Sequence, residues 1–291
     1  MRKLSKISSQ IDGQPMFKLL DKIKKLESDG KDIIHFEIGD PDFDTPKNIS
    51  DATIDALKNG NTHYVSSFGL VEFRQKIREY IEKSRGFKPT LEQVLVTPGA
   101  NIVIFYAINC LVDPGEEIIF PDPGFPTYNA AVKMCNASPV RIPLLESNEF
   151  RMNPDDIEKS ITKKTKMIII NSPQNPTGSV MTKDEIKATY EIAEKHDLFL
   201  YSDEIYSKLI YDNNKYSSPS IFDKCKDRTI LADGFSKAYA MTGWRLGSVV
   251  GPSDIIEKMQ LLLETTSSCV PPFIQKAGIE AIDGDQTFHE Y

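Results

Sequence analysis

Lys237 sits in a turn of small residues, Gly234-Phe235-Ser236-Lys237-Ala238-Tyr239-Ala240, and Arg245 follows eight positions later behind Thr242-Gly243. Desolvation in a tight loop and a nearby cation both favour a neutral amine, so Lys237 is a candidate nucleophile. The planar fork of Arg245 suits a phosphate or a carboxylate. Alone, the pair reads as a surface lysine beside a structural arginine, because short motifs match loosely. The upstream chain changes that reading.

Ser202-Asp203-Glu204-Ile205-Tyr206 closes an apolar run with a carboxylate where burial is expected. A buried carboxylate needs a cation or a strong donor, and a protonated ring nitrogen would serve. Asn171-Ser172-Pro173-Gln174-Asn175-Pro176-Thr177-Gly178 is a stiff polar loop after another apolar run. Its Asn175, like Tyr206, is suited to donate to a phenolic oxygen, although a plain Asn-Pro turn explains the loop equally well. Phe125, in Asp122-Pro123-Gly124-Phe125-Pro126, is held on a turn where it can stack on a planar ligand or simply join the core. Gly99-Ala100-Asn101 opens a helical stretch, where free N–H groups and the helix dipole favour a phosphate.

These residues need elements to carry them. Short β-rich runs at Gln93–Thr97, Glu117–Phe120, Lys166–Asn171, Leu198–Ser202, Thr229–Ala232 and Leu246–Val250 alternate with helical stretches. That alternation predicts an α/β domain with a mostly parallel sheet, whose ligands lie beyond the carboxyl ends of the strands. The candidate residues fall at those ends. Upstream, apolar periodicity predicts helices over 16–29, 47–58 and 69–84, stopped near Gly30, Gly60 and Gly86. Asp32–Ile38 reads as a strand, and Gly39–Pro46 as a turn-rich crossing between two lobes. Thr182 with Glu185 three residues later forms a capping box.

Composition narrows the function class. Thirty-five basic and 42 acidic residues leave a net charge of −7, which argues against broad nucleic-acid or anionic-membrane binding. No run is long and apolar enough to span a bilayer, and no apolar leader opens the chain, so a cytoplasmic location is expected. Cys110, Cys135, Cys225 and Cys269 lack metal-type spacing and read as reduced thiols, and His35, His63, His196 and His289 show no ligand pattern. No GxGxxG or GxxxxGK[ST] phosphate loop occurs, which weakens dinucleotide and NTP readings.

An amine, a carboxylate for a ring nitrogen, donors for a ring oxygen, an aromatic face and an arginine together describe a site for pyridoxal 5′-phosphate. With NSPQNPTG, SDEIY and GFSKAYAMTGWRLG in this order, the chain resembles the class I/II aminotransferases of fold type I over nearly its whole length. The resemblance implies a seven-stranded large domain and transfer of an amino group between an L-amino acid and a 2-oxo acid. Lys237 would bear the cofactor as an imine and later move the proton between Cα and C4′. Asp203 would pair with the pyridine nitrogen, and Asn175 and Tyr206 would donate to the phenolate oxygen. Phe125 corresponds to the stacking aromatic, while Ala100, Asn101, Ser236 and Arg245 correspond to phosphate contacts. Tyr64 matches a tyrosine that reaches the neighbouring subunit's phosphate, which implies a homodimer, and Gly39 matches a contact to the substrate carboxylate.

Departures from the family pattern set further expectations. Gly234 stands where many relatives have serine, and Asn101 where some aspartate-specific relatives have lysine. Family members run roughly a hundred residues further, a small-domain length. The expected organisation is thus an N-terminal arm with part of a small domain over 1–44, a cofactor-binding domain over 45–291, and no C-terminal lobe. A carbon–sulfur β-lyase using the same cofactor and a non-catalytic cofactor-binding fragment are the alternative readings.

Overall fold

A computed structural model describes residues 4, 5, 7–9 and 13–287. His289 lies outside them. Seven strands form one sheet: β1 (Val94–Thr97), β2 (Glu117–Asp122), β3 (Ser138–Pro143), β4 (Thr165–Asn171), β5 (Phe199–Asp203), β6 (Thr229–Gly234) and β7 (Gly247–Val250). Their order is β1-β7-β6-β5-β4-β2-β3. Only β7 runs against its neighbours, pairing antiparallel with both β1 and β6. The carboxyl ends of β1, β6, β5, β4 and β2 therefore share one edge, and the start of β7 meets them there. The mostly parallel α/β sheet expected from the sequence is the one observed.

Two layers of helix cover the sheet because its central strands are apolar on both faces, as parallel strands require. On one face, Leu95, Ile118, Met167, Tyr201, Ile230 and Ala232 pack against α4 (Val103–Leu111), α5 (Pro126–Met134) and α9 (Ser253–Ser267). On the other, Val94, Val96, Leu231 and Val250 meet α3 (Val71–Arg85) and α10 (Pro272–Asp283), with α2 (Lys47–Lys58) beside α10. Farther along that face, Ile119, Ile168, Ile170 and Leu200 meet α6 (Pro154–Lys159) and α7 (Lys183–Lys195). The remaining helices are α1 (Pro15–Ser28) and the short α8 (Ser220–Asp223).

Several local rules hold as read. Thr182 and Glu185 form the reciprocal capping box at α7. Gly30, Gly60 and Gly86 follow their helices with φ of 82°, 74° and 78°, a region that glycine enters without a side-chain clash. Other expectations need correction. Asp32–Ile38 is not a strand; with no ladder to join among the described residues, it leaves Ile34 and Phe36 82% and 91% exposed. Strand β3 escaped the sequence reading because Pro139 and Pro143 interrupt it, yet it lies at the sheet edge, where a missing donor costs least. Gln93 belongs to a short 3₁₀ turn, Leu91–Gln93, whereas β5 extends through Asp203 and β6 through Gly234.

Candidate active site

The site is built on the shared carboxyl edge. Asp203 is the last residue of β5 and is directed, like Tyr201, toward the face covered by α4 and α5. Tyr128, buried on α5, donates to Asp203 Oδ2 at 2.7 Å, and the Ile205 N–H approaches Oδ1 at 3.3 Å. Burial pushes the Asp203 carboxyl up to about 6, against the opposing pull of the Tyr128 hydrogen bond. A carboxylate so placed gains most from a cation on its open side.

Strand β4 supplies the neighbouring loop. Asn171, its last residue, accepts from the Asn175 N–H at 2.8 Å and donates to the Asp203 carbonyl at 3.1 Å. One side chain thereby ties the Asn175 loop to the end of β5. Asn175 Nδ2 then reaches the Tyr206 hydroxyl at 3.4 Å, placing both expected ring-oxygen donors side by side. Burial raises the Tyr206 phenol, Asp203 adds to the rise, and Asn175 opposes it, so the hydroxyl keeps its proton.

Phe125 caps the amino end of α5 and meets Tyr128 edge-on, with ring centroids 5.7 Å apart and an interplanar angle of 82°. Tyr128 thus touches both the carboxylate and the expected stacking ring. It escaped the sequence reading, although its spacing of three from Phe125 places it one helical turn away. Replacing it with phenylalanine keeps the ring and removes one hydrogen bond to a charged group, about 1.5–3 kcal/mol. Losing that bond raises the Asp203 pKa further. For Tyr128→Phe we expect the acidic midpoint of pyridoxal phosphate binding to move up by about one pH unit. A spectroscopic binding titration across pH checks this, and an unmoved midpoint would remove the hydroxyl from the site.

The phosphate-type residues gather at β1 and β7. Gly99 takes φ 87°, and a Cβ there would lie 2.5 Å from Arg245 Nη2. The glycine loop and the guanidinium are therefore packed together with no room for a side chain. Gly247 closes in likewise: a Cβ on it would stand 2.6 Å from the Ala100 nitrogen. Arg245 is exposed, with Nη1 donating to the Thr242 carbonyl at 2.9 Å, and exposed Asn101 lies in the 3₁₀ turn before α4. Gly234, which replaces the family's serine, has a physical reason here. A Cβ would come within 2.8 Å of Ile205 Cδ1 and 3.3 Å of Ala100 Cβ.

Lys237 follows on the turn after β6, with Ser236 half-buried beside it. Its Nζ donates to the Gly39 carbonyl, which brings the expected carboxylate-contact loop onto the lysine. Burial lowers the lysine's pKa; Asp40 opposes the shift and Arg245 reinforces it. Trp244 is tied down by Nε1–H donation to Thr45 Oγ1 at 2.9 Å. Tyr64 is 87% exposed. Among the described residues no cluster suits a metal ion, and His35 instead bonds Glu27 and Glu37.

The donor set fits an anionic, aromatic aldehyde with a basic ring nitrogen. One end offers a glycine cradle with an arginine, and the middle offers an amine. The other end offers the partly buried carboxylate of Asp203, bonded by the Tyr128 hydroxyl and the Ile205 N–H. The model of the family described as "Aminotransferase class I and II" matches residues 31–291. An aspartate aminotransferase of Pyrococcus abyssi is 42% identical over 259 residues, covering 89% of this chain and 67% of that protein. Aromatic-amino-acid aminotransferase 2 of Thermococcus litoralis is 38% identical, over 93% of this chain and 69% of its own. The aspartate aminotransferase of Thermus thermophilus, solved with maleate, superposes with a TM-score of 0.95 at 31% identity, covering all of this chain and 76% of that one.

Proposed function

This chain belongs to the class I and II aminotransferase family, and we propose that its carboxyl-edge site carries out amino-acid transamination with the residues described above. The family's cofactor is pyridoxal 5′-phosphate, and its substrates are amino acids and 2-oxo acids. The observation that carries the site assignment is convergence: four loops from β1, β4, β5 and β6 bring an amine, a buried carboxylate, paired hydroxyl and amide donors, and a glycine–arginine cradle to one edge.

When bound, the cofactor supplies an electron-accepting ring that holds the charge left as a bond at Cα breaks. Asp203 would pair with the ring nitrogen and favour its protonated form. Tyr206 and Asn175 would donate to the phenolate oxygen, and Phe125 would supply the aromatic contact to the ring. Gly99, Ala100, Asn101, Ser236 and Arg245 would hold the phosphate. Lys237, whose pKa burial lowers, would anchor the cofactor and then take the proton from the substrate Cα. Gly39 lies at the lysine, where the substrate carboxylate approaches. The exposure of Tyr64 and of Phe36 suits a homodimer in which a second copy covers them. No helix among the described residues is long and apolar enough to cross a membrane, and we place the protein in the cytoplasm. For the domain organisation, we propose an N-terminal arm with small-domain material over 1–44 and the cofactor-binding domain over 45–291.

The test is a panel of amino donors given to the full-length protein with pyridoxal phosphate and a 2-oxo acid. Amino transfer is expected; pyruvate released from cystathionine without an acceptor would instead mark an eliminating enzyme. For Arg245→Ala we expect a loss confined mainly to cofactor affinity. Its exposure limits the effect to that of a charged hydrogen bond, about 1.5–3 kcal/mol or roughly 10- to 100-fold in Kd. Equilibrium titration checks this, and an unchanged Kd would place the phosphate elsewhere.

A further inference from the structure

The opposite face of the same sheet edge holds a buried charge cluster that the proposed chemistry leaves unused. Arg85 ends α3, with its side chain 2% exposed. Its Nη2 lies 2.9 Å from Glu204 Oε2 and 3.2 Å from Asp233 Oδ2, and its Nε donates to Glu204 at 3.2 Å. Nη1 donates to the Tyr80 hydroxyl at 3.2 Å and to Ser84 Oγ at 2.8 Å. The rings of Tyr80 and Tyr216 stand 5.4 and 5.1 Å from the guanidinium carbon. The other Glu204 oxygen is satisfied by Ser202 and Ser218, and Asp233 also accepts from the Gly234 N–H at 2.8 Å. Lys208 donates to the Tyr239 hydroxyl beside them. Burial pushes Asp233 up to about 6 and Lys208 down to about 8.

Place in the chain gives the cluster its meaning. Glu204 immediately follows Asp203, and Asp233 stands four residues before Lys237. The ladder between β5 and β6 ends at Asp203 opposite Ala232, with one last bond from the Glu204 N–H to the Ala232 carbonyl at 2.9 Å. Beyond that rung the chains part, one toward Tyr206 and the other toward Lys237. Arg85 spans the fork between β5 and β6, beyond their last shared rung, while β6 goes on pairing with β7 through Gly234 and Gly247. A side chain that only filled space there would not need two carboxylates from two strands.

We infer that Arg85 is a positioning residue for the transamination site: by clamping Glu204 and Asp233 it fixes the separation of Asp203 from the Lys237 turn. This inference rests on the proposed function and extends it to a residue that touches neither substrate nor cofactor. The clamp acts on the geometry of proton transfer and leaves the phosphate cradle at Gly99 and Arg245 alone.

The test compares two variants of the full-length holoenzyme with wild type. Arg85→Lys keeps the charge but lacks the planar fork that holds Glu204 through Nε and Nη2 while Nη2 also meets Asp233. Arg85→Met combined with Glu204→Gln and Asp233→Asn removes all three charges, so no unpaired buried ion remains to unfold the chain. For the triple variant we expect the cofactor-free thermal midpoint within roughly 4 °C of wild type. In both variants the single-turnover rate at saturating amino acid should fall roughly 10-fold or more, with KM held within about twofold. The rate at which borohydride traps pyridoxal phosphate on Lys237 should fall with it. A folded variant with wild-type rate and trapping, or one whose rate recovers with its thermal midpoint, would overturn the inference. Wild-type protein trapped at another lysine would overturn the site reading, and this inference with it.

Discussion

Lys237→Ala will bind pyridoxal phosphate without a covalent bond and will lose the half-reaction. Two features set the size of that loss. In the proposed assignment this amine is the base at the carboxyl edge beside Asp203 and Arg245 that takes the Cα proton. A positioned proton carrier contributes about 10²–10⁴-fold, and losing the anchoring bond adds to this. The cradle at Gly99 and Arg245 and the ring contacts at Asp203, Tyr206 and Asn175 are untouched, so cofactor should still be retained. Stopped-flow spectroscopy of the variant loaded with cofactor and amino acid reads both results. A variant that transaminates within tenfold of wild type would show that another group moves the proton.

Asp203→Asn separates function from stability. The amide still accepts from Tyr128, so the packing around it should survive, but the ring nitrogen loses its anion. Truncating one side of a buried charge pair costs about 2–5 kcal/mol, roughly 30- to 5000-fold in rate. Stability without cofactor should move the other way. Burial raises the Asp203 carboxyl from 3.8 to about 6. A carboxyl raised in the folded state favours folding below about pH 4, and that contribution is lost as the pH passes through 6. At pH 7 cofactor-free wild type therefore bears an ionised Asp203 that the Tyr128 and Ile205 hydrogen bonds compensate only in part, a penalty of about 1–3 kcal/mol that asparagine avoids. Unfolding at pH 7 and pH 4.5 should show the variant gaining on wild type only at the higher pH. A variant that turned over normally would free Asp203 of its assigned role.

Much of this site is legible in the sequence because its parts are local. Asp203-Glu204-Ile205-Tyr206, the Asn171–Gly178 loop and the Lys237–Arg245 turn each carry their chemistry within a few residues, and alternating strands and helices predict that such segments share one edge. What escaped is long-range. Tyr128 lies 75 positions from Asp203, and Arg85 lies 119 from Glu204 and 148 from Asp233. Neither pairing has a sequence period to reveal it. The false strand at Asp32–Ile38 has the opposite origin: alternating apolar residues state a preference for pairing, and only the fold decides whether a partner strand exists. Strand β3 was hidden because its prolines argue against a central strand and say nothing against an edge.

The most direct measurement is the site of attachment. Borohydride reduction of the protein loaded with pyridoxal phosphate, followed by peptide mapping, should place a single pyridoxyl group on Lys237, in the peptide containing Gly234-Phe235-Ser236. Lys208 is the informative control, since burial lowers its pKa to about 8, although it lies on the other face of the sheet. A pyridoxyl group on Lys208, or on any lysine other than Lys237, would contradict the account.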